Sequence, residues 1–347
     1  MAFLSLMDAA RRLDPDGEVD TIAELLSQTN EFFRDMTWAE SNLDTGHKST
    51  VRTGLPQGTW RMPYAGVPYA RSTTAQVTDG LGYLAAYSQI DKRVADLGGK
   101  TAQIRLTEDS AFLEGMSQQM ATTFFYGNSG TIPSQFTGFA PRYNTISTAN
   151  AQNAQNVLSG GGTASANASI WLVGWGDMTS FGIYPKGSKA GLIFEDRGDV
   201  VPGYDAAGNP FPAYTSYFEW NGGLVTRDWR YNVRIGNIDT TTATTGLFGT
   251  TPPDLFLLMS KAVVRFPALT KRASGITETD APDEPAPGIN PAFYVNRTIR
   301  EALDIQAIRD KNVLLKPTEY AGQPVVEFRG IPIRVCDTLL STEATLT

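Results

Sequence analysis

Between Thr45 and Thr78 the chain has no acidic residue. It carries Lys48, Arg52, Arg61 and Arg71, and Gly46, Gly54, Pro56, Gly58 and Pro63 break its first twenty positions. A stretch interrupted so often cannot be a core element and reads as a long two-stranded excursion. Loops of this length are functional or disordered, and Trp60, Tyr64 and Tyr69 argue against disorder, which depletes aromatics. Ahead of it, residues 1–44 hold ten acids against three arginines. Adjoining segments of opposite sign can set register between neighbouring copies; they can equally be two solvated surfaces.

In the acidic segment, Ile22, Leu25, Leu26, Phe32, Phe33 and Met36 recur at helical spacing. Thr21 and Glu24 form a candidate capping box. The pattern predicts a helix over about 19–38, an arm that packs on something else. After the excursion, β-branched and aromatic residues predict an extended strand over 74–91, with an Ala-rich middle that also fits a helix. A helix follows over 101–126, with Leu113, Met116, Met120 and Phe124 on one face and Gly127-Asn128 as its stop. At 1.5 Å per residue it is a rod of about 39 Å.

The second half reads as strand-rich. Residues 145–168, with Gly160-Gly161-Gly162, predict a loop. Short strands are expected at 169–175, 181–184, 192–195, 214–220, 224–226 and 231–237. Helices follow over 253–266 and 297–309, the second with Asn296 as N-cap. Between them, residues 274–290 hold four acids and three prolines and read as a solvated loop. A hairpin, 325–328 and 331–335, turns at Arg329-Gly330.

Little chemistry is on offer. His47 is the single histidine and falls in the broken basic stretch, without a fixed scaffold for a nucleophile's base. Cys336 is the single cysteine, so there is no intramolecular disulfide and no Cys-x-x-Cys for zinc. Residues 182–189 (GIYPKGSK) reverse the Lys-Ser order of a phosphate loop and read as a turn. Asp196, Asp199 and Asp205 lack the spacing of a calcium loop. A net charge of −7 argues against a main surface that grips nucleic acid, though not against a wall confining it. Charged residues make up 19%, below the roughly 25% usual for soluble domains. Together with 36 aromatic residues, this suits a chain that covers much of its surface with partners. No catalytic, cofactor or metal site is expected, and no stretch is long and apolar enough to span a membrane.

Residues 108–128 (EDSAFLEGMSQQMATTFFYGN) resemble the spine helix and its end in phage major capsid proteins, and 182–196 (GIYPKGSKAGLIFED), 227–239 (RDWRYNVRIGNID) and 328–338 (FRGIPIRVCDT) resemble segments of the podovirus, epsilon15-like, group. With the order of elements, the chain resembles the α+β Hong Kong 97-type capsid fold. That resemblance implies an N-arm (1–44) and an E-loop (45–80). It implies a P-domain part (81–168) with a spine helix at about 101–126, a largely A-domain stretch (169–310), and a return to the P-domain with the closing hairpin (311–347). It implies a non-enzymatic subunit that assembles with itself into hexamers and pentamers of an icosahedral shell around double-stranded DNA, contacted non-specifically on the inner face. The virion capsid would be its location, after assembly in the host bacterial cytoplasm. No removable extension precedes the arm, so scaffolding is expected from a separate protein, with a portal and a decoration protein as further candidate partners.

On this reading Lys48, Arg52, Arg61 and Arg71 meet Asp14, Asp16, Glu18 and Asp20 of a neighbour. An encapsulin-like compartment is the alternative within the same fold. A monomeric β-rich hydrolase or carbohydrate-binding module, with Trp171, Trp175, Trp220 and Trp229 as a sugar platform, is the alternative outside it.

Overall fold

The computed structural model describes residues 27–96, 99–149, 151–163, 166–197, 200–205, 207–267, 289–309, 315–320 and 323–347. The front begins with a short helix, α1 (Phe32–Asp35), and a short strand, β1 (Trp38–Glu40). β2 (Gly46–Gly54) and β3 (Thr73–Gly80) pair with each other alone and form the expected two-stranded excursion. β4 (Gly82–Asp91), α2 (Lys92–Ala95) and the long helix α3 (Thr101–Tyr126) follow, then α4 (Phe139–Arg142). The second half supplies β5 (Val157–Ser159), β6 (Asn167–Trp175), β7 (Ser180–Tyr184), β8 (Leu192–Asp196), β9 (Val201–Tyr204), β10 (Pro210–Thr226) and β11 (Asn232–Asp239). It ends with α5 (Leu255–Arg265), β12 (Asn290–Val295), α6 (Arg297–Arg309), β13 (Leu315–Tyr320), β14 (Gln323–Phe328) and β15 (Ile331–Val335).

One sheet runs through the body in the order β13-β14-β15-β12-β6-β7-β10-β4, with the remaining strands except β2 and β3 joined at its sides. β6 is its centre, and all nine of its residues are buried, as a strand covered on both faces must be. Alternation along β6 divides two cores. Ala168, Ile170 and Leu172 face a layer formed by α5 and α6 with Leu255, Met259, Ile299 and Leu303. Trp171, Val173 and Trp175 face an aromatic core with Phe124 and Phe125 from the end of α3.

β10 links this region to the sheet beneath α3. Its second half pairs with β7 and its first half with β4, β8 and β9.

The helix over 101–126 ends where expected. A Cβ on Gly127 would lie 2.5 Å from the Thr123 carbonyl and 2.6 Å from that of Phe136, so only glycine fits at the turn. Met116, Met120 and Phe124 are buried, but Leu113 is exposed, because only the last third of α3 reaches the aromatic core. The 297–309 helix is capped as predicted, Asn296 Oδ1 accepting from the Ile299 N–H at 2.8 Å. The closing hairpin turns at Arg329-Gly330, both with positive φ, and β15 pairs with β12 of the central sheet.

The front differs from expectation. The capping box at 21–24 lies outside the described residues. From residue 27 on, helix is confined to Phe32–Asp35, and Trp38 already begins a strand parallel to β7. This segment also packs on its own chain. Phe32 is fully buried against Phe124 and Phe125. Asp35 accepts from Tyr294 at 2.9 Å and pairs with Arg334. Burial first, and then the charge of Asp35, pushes the Tyr294 phenol well above its ordinary value, so it stays a proton donor.

Candidate assembly surface

The root of the β2–β3 hairpin is a built structure. A Cβ on Gly46 would lie 2.3 Å from the Asp79 carbonyl, so the two strands close tightly there. His47 and Asp79 face each other across the pair and are 6% and 7% exposed. Arg142 of α4 donates to Asp79 at 2.8 Å and to the Leu224 carbonyl at 3.1 Å. Arg227 lies 3.1 Å from His47 Nε2, with its guanidinium over Phe181, and the imidazole meets Phe181 edge-on. Arg227 can only donate, so Nε2 accepts and the ring is neutral. His47 thus belongs to a fixed anchor, not to a flexible stretch as its sequence surroundings suggest.

Desolvation, and then the Arg227 charge, lowers the His47 pKa below its ordinary 6.5, against the opposing pull of Asp79. A base with a depressed folded value binds fewer protons folded than unfolded, so its contribution is complete above about pH 6.5 and is lost as pH falls through the folded value. Urea unfolding at pH 7.5 and 5.0 is expected to show a stability loss in the native protein that His47→Gln, which keeps an acceptor for Arg227, largely removes. An equal loss in both would locate the pH sensitivity elsewhere.

Beyond the root the hairpin leaves the body. Every residue from 55 to 78 is exposed. Trp60, Tyr64 and Tyr69 are as open as in an extended peptide (102%, 104% and 107%), and Leu55, Met62 and Val67 are exposed with them. The tip is nonetheless shaped: Arg61 donates to the Ala65 carbonyl at 3.2 Å, the Ala65 N–H to the Met62 carbonyl at 3.1 Å, and Tyr64 takes a positive φ. Lys48 and Arg52 lie on one side of β2, and Arg61 and Arg71 in the tip; none of the four pairs with an acid among the described residues. Asp14, Asp16, Glu18 and Asp20 lie outside the described residues.

The other candidate chemistries dissolve. Trp171 and Trp175 are fully buried, and Trp220 and Trp229 pack against the same aromatic core, so the four share no open platform. Residues 185–188 form a turn closed from Ser188 N–H to the Pro185 carbonyl at 3.1 Å. Asp205 spends its carboxylate on Ala207 and Asn209 of its own loop. Among the described residues no three His, Cys, Asp or Glu side chains are grouped to hold a metal ion. Cys336 is buried, which pushes its thiol up to about 12, so it is not a nucleophile at neutral pH.

What sequence reasoning missed is a buried ionic junction at the C-terminus. Glu343 pairs with Arg234 at 2.8 Å, both side chains 5% exposed. It also accepts from Ser169 and from Tyr126 at the end of α3. Arg234 lies over the Trp171 ring and donates to the Tyr143 carbonyl. The partners are 109 residues apart, a separation no local pattern encodes.

The family model of the major capsid protein GP7 matches residues 14–347. A chain in the structure of bacteriophage epsilon15 is 32% identical, with a TM-score of 0.73, and the match covers 100% of this chain and 98% of that one. The capsid of bacteriophage JBD30 (11% identity, 94% of this chain, 99% of that one, TM-score 0.43) also matches. So does the holo-SrpI encapsulin complex of Synechococcus elongatus (13%, 70%, 98%, 0.42). At those scores the last two carry no argument. Comparison with curated proteins finds no match. Agreement along nearly the whole length, with the shared fold, means that this chain belongs to the GP7 major capsid protein family and is a shell protein of a bacteriophage head with an α+β, Hong Kong 97-type fold.

Proposed function

We propose that the β2–β3 hairpin is the E-loop, the arm by which each copy holds the next in a shell of hexamers and pentamers. The observation that carries this is the exposed tip: a shaped segment with six large apolar side chains, four cations along its hairpin and no acid, packed on nothing among the described residues. Contiguous apolar surface of this kind marks an interaction site. The remaining division follows the same plan: N-arm in residues 1–44, P-domain with α3 as spine, and A-domain around β6 and β11. The closing strands, expected to return to the P-domain, adjoin the sheet of the proposed A-domain. Lys48, Arg52, Arg61 and Arg71 find acids on neighbours, among them Asp14, Asp16, Glu18 and Asp20.

The subunit acts as wall rather than enzyme. Scaffolding comes from a separate protein, a portal and a decoration protein are further partners, and DNA is met non-specifically on the inner face. Assembly takes place in the host cytoplasm. Electron microscopy of purified protein is expected to show closed particles. Reversal of all four cations to glutamate is expected to lower particle yield at least tenfold while the subunit stays folded. Unchanged assembly of that variant would remove the electrostatic part, and a persistent monomer of the native chain would remove the arm itself.

A further inference from the structure

Two arginines of the body hold the hairpin root, one on each strand. Arg142 of α4 holds β3 through Asp79, and Arg227, just past β10, holds β2 through His47. The first clamp is a pair of opposite charges. The second needs a neutral imidazole, because an imidazolium has only donors and cannot accept from a guanidinium. Beside the clamps are two idle groups. His47 Nδ1 and Asp79 Oδ2 are buried without a hydrogen-bond partner among the described residues, although the two residues stand opposite each other in the β2–β3 register. With Nε2 accepting, Nδ1 carries the hydrogen. An unused donor thus stands across the strand pair from an unused acceptor. Ser49 Oγ, two residues along the same face, and Arg142 Nε are idle as well. Buried polar groups left idle call for a role.

We infer that the root is a joint worked by one proton: protonation of His47 releases β2 from Arg227, turns the imidazolium toward Asp79 and lets the hairpin pivot on the Arg142 clamp. Its use to the shell rests on the reading of the hairpin as an intersubunit arm. Charge decides the direction of the change. An imidazolium is repelled by Arg227 and attracted by Asp79, and buried charges are screened little by salt. The charged groups around the ring are Arg227 from the β10 side, Asp79 of β3 and, behind Asp79, Arg142 of α4; β7 supplies the uncharged Phe181 ring. Arg227 keeps a second hold when it lets go, since its guanidinium also donates to the Asp177 carbonyl at 3.0 Å. β2 and β3 stay together, paired from Gly46 to Gly54 and closed tightly at Gly46, so the hairpin turns as one body. Burial, and then Arg227, lowers the His47 pKa, so the joint is shut at neutral pH and opens on the acid side of 6.5. A side chain that changes partner on protonation is the two-state element that a pH switch requires.

The test measures the distance between spin labels on Gln57→Cys in the hairpin and Thr122→Cys at the end of α3, in the unassembled full-length subunit. Both positions are exposed, while Cys336 is buried and takes no label. Ten residues at about 3.3 Å each put Gln57 about 30 Å from His47, so a turn of about 10° moves it about 5 Å. The native chain is expected to show one distance at pH 7.5 and another at pH 5.0. His47→Gln, which keeps an acceptor for Arg227, is expected to hold the neutral distance at both. Arg227→Met is expected to show the acid distance already at pH 7.5. Asp79→Asn is expected to move the midpoint of the change down by about one pH unit or more, because the imidazolium loses its opposite charge. No change in the native chain, the same change in His47→Gln, or a neutral distance in Arg227→Met would overturn the joint. An unmoved midpoint in Asp79→Asn would remove Asp79 as the second partner. Urea dissociation of assembled shells then tests the arm separately: native shells are expected to come apart at lower urea than His47→Gln shells at pH 5.0 and at equal urea at pH 7.5. A joint that turns in the subunit while both shells resist equally at pH 5.0 would leave the switch standing and overturn its link to shell cohesion.

Discussion

Glu343→Ala is expected to lower the stability of the folded subunit by about 3–5 kcal/mol, because it strands the Arg234 charge where water cannot reach it. The two side chains meet at 2.8 Å and are equally buried. Arg234 would keep Ser169, the Tyr143 carbonyl and the Trp171 face, none of which carries a negative charge. Tyr126 would lose its acceptor as well. Burial, and then the Glu343 charge and hydrogen bond, raises its pKa, so at neutral pH the phenol is a donor that needs a partner.

The loss spreads, since Glu343 also bridges to Asn167 through its backbone and is followed by Leu346, which exchanges hydrogen bonds with Asn237. The last residues therefore tie the end of α3 to β6 and β11. Urea unfolding should show a lower midpoint at unchanged slope. Removing both charges, as Arg234→Met with Glu343→Leu, is expected to cost less than Glu343→Ala alone, since no buried ion is then left unpaired. A double variant worse than the single would mean that the hydroxyl contacts of Ser169 and Tyr126, rather than the stranded charge, set the cost.

The difference between what was legible and what was not follows from range. α3 and α6 could be read because their signals are local: a long run ending at a glycine, and a side-chain cap three residues from the N–H that donates to it. The excursion could be read because glycine, proline and missing acids are local too. β10 was divided at Asn221-Gly222-Gly223, where glycines ordinarily mark a turn. The strand instead runs straight through, and a Cβ on Gly223 would lie 2.8 Å from the Gly80 carbonyl and 3.0 Å from Ile183. Gly223 records a close crossing, which only the fold reveals. β12 escaped notice beside an acidic, proline-rich loop, yet four of its six residues are buried. His47 was misjudged for the same reason as the Glu343 junction. Its partners Arg227 and Phe181 come from distant parts of the chain, and a residue's neighbours in sequence say little about its neighbours in space. The exposed tip, by contrast, is legible as unusual but not as open: aromatics in a broken segment tell of order, and only the structure tells that nothing among the described residues lies over them.

That openness gives the second large effect. The triple change Trp60→Ser, Tyr64→Ser and Tyr69→Ser is expected to leave the unfolding midpoint of the isolated subunit nearly unchanged, within about 0.5 kcal/mol, because exposed side chains contribute little to their own fold. The same change should all but abolish shells. Aromatic anchors at an interface centre are worth about 2 kcal/mol or more each. Two such anchors among the three give about 4 kcal/mol for every contact, and at about 1.4 kcal/mol per decade the concentration needed for assembly rises about a thousandfold. Phe125→Ala reverses the pattern: its ring is fully buried among Phe32, Phe139 and Trp171, and its loss should cost about 3–5 kcal/mol of folding stability. Sedimentation for assembly and urea unfolding for the subunit separate the two. If the triple variant unfolds as early as Phe125→Ala, the tip is part of its own subunit's core. If it assembles at the native concentration, the tip's aromatics serve no partner, and shell cohesion must come from the α3 face and the sheet edges instead.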